Sequence, residues 1–210
     1  MKDVTADSEE TQSLLARVHG GDQEAADRLF TRHRAYLRQV VDMRLDDRIR
    51  RRVDASDVVQ ATQLEATRRL ADYLQRRPMP FRLWLRKTAH EHMSKMLRQH
   101  AHVKKRSVQR EMSLPPRSSL QLARELLGSK TSPSEQVSRR ELTQFVRQAV
   151  AKLGDDDREI VLMMNFEGLS SREVGQVLDL DPSTVCRRHG RALLRLHKIL
   201  LDSGISESQI

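Results

Sequence analysis

The chain has 210 residues, with 38 Lys and Arg against 29 Asp and Glu, a formal net charge of +9 and a pI near 10.3. That length allows one or two domains, and the basic balance suits either a nucleic-acid partner or a merely basic soluble protein. A lone cysteine, Cys186, excludes an intrachain disulfide and a Cys-based zinc site, and aromatics at 3% argue against recognition by base stacking on a sheet.

No run approaches the ~18 apolar residues of a membrane span. The start, MKDVTADSEE, is polar and acidic, unlike a signal segment. A reducing, cytoplasmic setting without membrane insertion is expected. Leu, Arg, Ala, Glu and Gln abound and β-branched runs are scarce, which predicts an all-α protein.

Residues 1 to about 10 read as a disordered acidic lead-in. A first helix holds Leu14, Leu15 and Val18 and stops at Gly20-Gly21. Asp22 caps a second helix with a core stripe of Ala26, Leu29, Phe30, His33, Leu37, Val40, Val41 and Leu45, in which His33 reads as a packed residue. A charged connector, 46–53, leads to Asp54, Ser56 and Asp57, the cap and first turn of a third helix over about 55–74. Pro78-Met79-Pro80 breaks the chain, and a fourth helix follows over about 81–99.

The pattern weakens from His100 to Glu135, where Pro115-Pro116, Gly128 and Pro133 mark a linker with one short helix near 120–127. Helices at about 135–152, 156–166, 170–178 and 182–201 follow, then a polar tail. The organisation expected is a helical domain over 11–100, a flexible linker over 101–134 and a second small helical domain over 135–201.

The second domain carries a helix-turn-helix pattern, LSSREVGQVLDLDPSTVCRRHGRALLRLHK from Leu169. Gly175 is the small residue needed where the second helix crosses closely. Val174, Leu178, Leu180 and Val185 have the spacing of a small core. Asp179 takes the turn position that asks for positive φ, most often filled by glycine. Asp181 or Ser183 can cap the second helix, with Pro182 at or near its first position.

Arg187, Arg191 and Arg195 recur every four residues on one face, Arg188 lies beside them, and no acid falls between Pro182 and Leu201. Such a face can neutralise phosphates and offer bidentate contacts to guanine. The bland alternative, a solvated surface helix, would mix signs. His189 and Cys186 read as boundary and packing or groove-side residues.

A second basic surface lies between Arg76 and Arg110: Arg76, Arg77, Arg82, Arg86, Lys87, Lys95, Arg98, Lys104, Lys105, Arg106 and Arg110, with Glu91 the only acid. Phe81 reads as core, while Trp84 is balanced between core and strand path. The pairs His90/His92 and His100/His102 have i, i+2 spacing, which points to different faces of a helix and does not make a natural chelate. Neither a phosphate-binding glycine loop nor clustered metal carboxylates are evident, so neither an enzyme nor a metal or other cofactor is expected.

Three blocks in order, VDASDVVQATQLEA, FRLWLRKTAHEHMSKMLR and LGDDDREIVLMMNFEGLSSREVGQVLDLDPSTVCRRHGRALLRL, resemble sigma-70-family RNA polymerase sigma factors of the small extracytoplasmic-function type. The resemblance spans about Leu14 to Leu201. It implies a region 2 helical bundle and a region 4 helix-turn-helix, with core RNA polymerase (β′ clamp and β subunit) and promoter DNA as partners and an anti-sigma factor as a family expectation.

Asp57 and Gln60, with Leu64, match polymerase-docking positions, while Ala61 and Gln63 stand where the family has an acid and an aromatic. The loop Gln75–Pro80 matches the one that holds a flipped −10 base. Arg82, Trp84 and Leu85 match the pattern opening the melting helix, and Arg76, Arg77, Arg86, Lys95 and Arg98 complete the −10 set. Ser183, Thr184, Arg187, Arg188, Arg191 and Arg195 form the −35 set. The alternatives are a stand-alone helix-turn-helix regulator, which would need a receiver or ligand-binding domain that residues 1–130 do not suggest, and a basic RNA-binding adaptor.

Overall fold

The computed structural model describes residues 7–45, 53–99, 114–127 and 136–202. The connector at 46–52, the bases Lys104, Lys105, Arg106 and Arg110, His100, His102 and the tail beyond 202 lie outside the described residues. Two compact units divide near residue 107. Residues 176–179 continue a helix of the second unit and are described with it. Among the described residues the structure is all-α, and no helix is long and apolar enough to cross a membrane.

The first unit holds α1 (Glu9–His19), α2 (Gln23–Asp42), α3 (Ala55–Arg76) and α4 (Phe81–Gln99). Side-chain caps start three of them. The Ser8 hydroxyl accepts from Thr11 N–H, Asp22 from Ala25 and Asp54 from Ser56. The backbone N–H bonds at Asp22 and Asp54 hold both carboxyls below the ordinary range, helped by Arg17 at Asp22 and by the Ser56 hydroxyl at Asp54. Gly21, at φ 88°, reverses the chain between α1 and α2.

The expectation of a disordered lead-in to about residue 10 does not hold for its described part. Ser8 caps α1, Glu10 pairs with Arg32 on α2, and Asp7 reaches α4. These acids are partnered by groups far away in sequence, which composition cannot reveal.

Leu15, Leu29, Leu37, Val40, Val41, Val59 and Ala66 fill the interface of α1, α2 and α3. α4 packs on α2 and α3 through Phe81, Trp84, Leu85, Ala89 and Met93. Phe81 is fully buried, with ring centroids of Phe30, His33, Tyr73 and Trp84 at 6.0, 5.2, 5.5 and 5.6 Å.

The second unit holds α5 (Pro116–Leu127), α6 (Gln136–Lys152), α7 (Asp155–Val161) running into a π-turn (Leu162–Phe166), α8 (Ser171–Leu178) and α9 (Pro182–Asp202). The stretch read as linker therefore carries a longer helix than the 120–127 expected, and it packs. Leu114, Leu122 and Ala123 are buried, α5 lies on α6, the π-turn and α9, and the Arg147 guanidinium donates to Leu114 O at 3.0 Å. Pro115-Pro116 marks the start of this helix and not only a break, because proline suits the first turn, where N–H groups have no intrahelical acceptor.

Where one helix over 156–166 is expected, the chain widens into the π-turn at Leu162. There Leu162, Met163 and Phe166 are buried while Asn165 turns to His189 on α9. α8 begins with reciprocal bonds: Glu173 accepts from Ser170 N–H at 2.7 Å, and the Ser170 hydroxyl accepts from Glu173 N–H at 3.3 Å.

His33 has a measurable consequence. Burial, reinforced by the nearby charges of Arg82 and Arg32, pushes its pKa down to about 4 from 6.5. The native imidazole is neutral, and the unfolded chain binds one more proton between those values. Its contribution is complete above pH 6.5 and is lost as pH falls towards 4, on the order of 3 kcal/mol at most. His33→Leu should show a shallower loss of stability over pH 6.5–4 than wild type in urea unfolding; parallel curves would refute this.

Candidate nucleic-acid and polymerase interfaces

The turn between α8 and α9 is built from three residues. Gly175 lies against the backbone where the chain comes back: a Cβ there would sit 2.5 Å from Leu180 O, and Leu180 N–H donates to Gly175 O at 3.0 Å. Asp179 takes φ 54°, the left-handed conformation expected at this position. Asp181 caps α9, accepting from Ser183 N–H at 2.8 Å. The Ser183 hydroxyl and N–H hold its carboxyl below the ordinary range, so it stays charged. Val174, Val177, Val185, Ala192, Leu196 and Leu200 bury the inner faces of α8 and α9.

On the outer face of α9, Ser183, Arg187, Arg191 and Arg195 are exposed, and Thr184 and Arg188 are half-buried. α9 contains no acid before Asp202, but the first turn of α7 supplies acids across space. Arg195 pairs with Asp157, and Arg188 lies 3.7 Å from Asp156. Among the described residues Arg187 and Arg191 make no ion pair, so two of the four arginines stand ready while two face carboxylates. His189 turns inward, bonded through Nε2 to Asn165 Oδ1 at 2.7 Å, and Cys186 is exposed.

On α3, Asp57, Gln60 and Leu64 follow helical spacing and are all exposed, Leu64 at 55% of its surface. A leucine that open beside an acid and an amide makes an amphipathic patch. Gln63 points the other way, donating through Nε2 to Phe30 O on α2 at 3.0 Å, so it ties the bundle together.

The −10 set divides. Arg76, Arg77, Lys95 and Arg98 are exposed, with Arg76 paired to Asp72 at 2.9 Å. Arg82 is half-buried, its guanidinium stacked 4.1 Å over the Tyr36 ring. Trp84 is not on the surface: it is buried with its ring centroid 4.6 Å from that of Tyr73. Arg86 is fully buried as well, on a helix whose first turns are enclosed on nearly every side. Both expectations of a DNA-facing side chain at Trp84 and Arg86 are corrected by this burial. Their neighbours in sequence are basic, but α4 carries them inward.

The loop between α3 and α4 is held from both ends. Arg77, at φ 38°, ends α3 in the left-handed conformation and donates its N–H to Tyr73 O at 2.7 Å. The Tyr73 hydroxyl donates to Met79 O at 3.1 Å, and the Asp7 carboxylate accepts Phe81 N–H at 2.9 Å. The sequence pattern carried no signal for Asp7; only an uncapped helix start after Pro80 hinted that some acceptor must come from elsewhere.

Residues 146–196, which hold this helix-turn-helix, match the family described as sigma-70, region 4. The chain is 29% identical over 188 residues to the RNA polymerase sigma factor CnrH of Cupriavidus metallidurans, covering 89% of this chain and 92% of that protein. The solved structure of CnrH in complex with the cytosolic domain of CnrY matches with a TM-score of 0.60 at 25% identity, over 93% of this chain and 99% of that one.

The region 4 match and the likeness to CnrH over most of the chain support an RNA polymerase sigma factor of the extracytoplasmic-function type. A sigma factor is a regulator of transcription initiation that works with RNA polymerase and DNA.

Two glycines on the motif separate space from conformation. Gly175→Ala must displace the turn backbone and is expected to cost about 1–3 kcal/mol. Gly190→Ala on α9 meets nothing within 4 Å and should gain roughly 0.5–1 kcal/mol by helix propensity. Thermal unfolding of both variants tests the contrast; a neutral Gly175→Ala would contradict the close approach.

Proposed function

We propose that this sigma factor grips promoters at two points. The observation that carries the proposal is the outer face of α9, where Arg187 and Arg191 are exposed on a helix positioned by Gly175, Asp179 and Asp181. In this reading α9 enters the major groove of the −35 element, the arrangement by which helix-turn-helix proteins read base edges. Arg187 and Arg191 reach bases or phosphates first. Ser183 and Thr184, in the first turn, meet phosphates beside the helix N-terminus. Arg188 and Arg195 join by exchanging Asp156 and Asp157 for phosphate.

In the other unit, Asp57, Gln60 and Leu64 form the docking patch for core polymerase, on the β′ clamp, with the β subunit the partner of the second unit. Arg76, Arg77, Lys95 and Arg98 line the path of the opened −10 strand, and the Arg77–Pro80 loop holds a base drawn from the stack. Arg82 orients this surface from its seat on Tyr36. Region 2 then corresponds to residues 11–100 and region 4 to residues 135–201, with α5 packed onto the latter. Neither surface needs to bind DNA tightly alone, because polymerase holds both near the promoter. Since CnrH is solved with a bound protein domain, an anti-sigma protein is the regulator we propose here, acting with the sigma factor in the cytoplasm.

Core polymerase with this chain should initiate from a subset of a promoter library, and failure with any cognate core would sink the proposal. Arg191→Ala should cost about 1–3 kcal/mol at one −35 position if it reads a base, or weaken all sequences alike if it holds a phosphate. Asp157→Asn should release Arg195, raising −35 affinity at low salt and steepening the salt dependence by about one ion. An unchanged slope would show that the Arg195 pair does not compete with DNA.

A further inference from the structure

α4 begins without a local cap. Pro80 precedes Phe81 and offers no side-chain acceptor, and Pro80 O already takes Trp84 N–H at 2.9 Å. Phe81 N–H is instead held by the Asp7 carboxylate through both oxygens, at 2.9 and 3.0 Å, across 74 residues of sequence. Asp7 is itself anchored. Its carbonyl accepts from Gln12 Nε2 at 3.2 Å, the next residue caps α1, and Glu10 pairs with Arg32.

Among the described residues, three bonds from groups outside α4 hold the Arg77–Pro80 loop and its junction with α4. Two come from Tyr73 on α3, through its carbonyl and its hydroxyl. The third, at the α4 end, comes from the amino-terminal segment, beside the bond from Trp84 N–H of α4 itself to Pro80 O. The charge of Asp7 also acts on Tyr73: burial first, and Asp7 second, raise the phenol above its ordinary range, so the hydroxyl remains a donor to Met79 O.

We propose that Asp7 is a positioning residue for strand capture, fixing the α4 end of the Arg77–Pro80 loop so that the loop is already shaped for an unstacked base. The proposal rests on the assignment of that loop to the −10 strand. A preshaped loop spares the ordering cost at the moment of capture. Without the Asp7 bond the α4 end is held by the Trp84 N–H bond to Pro80 O, and more of the ordering falls to the DNA itself. The negative charge of the carboxylate also favours the α4 N-terminus.

The test uses holoenzyme made with the full chain as wild type, Asp7→Ala and Asp7→Asn. Three affinities are measured: for core polymerase, for duplex −35 DNA, and for the single-stranded −10 segment of a promoter that the wild type transcribes. Asp7→Ala should lose about tenfold on the −10 strand alone. Asp7→Asn, which keeps one acceptor for Phe81 N–H, should recover most of it.

Equal strand binding by Asp7→Ala and wild type would overturn the proposal. So would a loss shared by all three affinities, which marks a general folding contact. A wild-type holoenzyme that transcribes but does not bind the strand would remove the loop assignment itself, and a wild type without any promoter activity would remove the functional reading first.

Discussion

The N–H groups at the start of a helix have no acceptor within it, and among the described residues six helices meet that constraint with a side-chain oxygen that fixes where they begin. Ser8, Asp22, Asp54, the Ser170–Glu173 pair and Asp181 each supply an oxygen at a helix start, and Asp7 does so for a helix far along the chain. Four of these acceptors are aspartates in a protein with net charge +9. These aspartates sit at helix starts, where partial positive charge and N–H donors keep Asp22, Asp54 and Asp181 ionised. The exposed faces of α4 and α9 are rich in cations. The loops 77–80 and 179–181 are each followed immediately by one of these capped starts.

The cations that remain on those faces are of two kinds. Arg187 and Arg191 stand exposed, whereas Arg188, Arg195 and Arg76 have carboxylates in reach. Exposed pairs of this kind are worth only ~0–1 kcal/mol. They orient long side chains without locking them, and a phosphate can displace the carboxylate at small cost. A third kind is buried in part or whole: Arg82 stacks on Tyr36 and Arg86 is enclosed, so their charge serves the bundle before it serves any partner. A count of basic residues along the chain overstates the exposed cationic surface for this reason.

Local signals were legible where the physics is local. Gly175 as a close-approach residue, positive φ at Asp179 and Asp181 before Pro182 all follow from what a tight helix-helix turn demands within a few residues. Exposure of Asp57, Gln60 and Leu64 on one face follows from helical spacing alone. The capping box at Ser170 and Glu173 is equally local, a serine followed three residues on by a glutamate. The inward turn of Gln63 onto Phe30 O had no such signal, because its partner sits on another helix.

The sequence by itself determined an all-α chain, the two cationic regions, the helix-turn-helix and the helix breaks, because composition, period and turn chemistry act over a few residues. Tertiary structure alone decided that Trp84 and Arg86 are buried, that α5 joins the second unit through Leu114 and Leu122, that Asp156 and Asp157 face the α9 arginines, and that Asp7 starts α4. Each of these is a pairing between groups distant in the chain. The interior into which a side chain packs, or the helix end to which a carboxylate is brought, exists only once the helices have been set against one another.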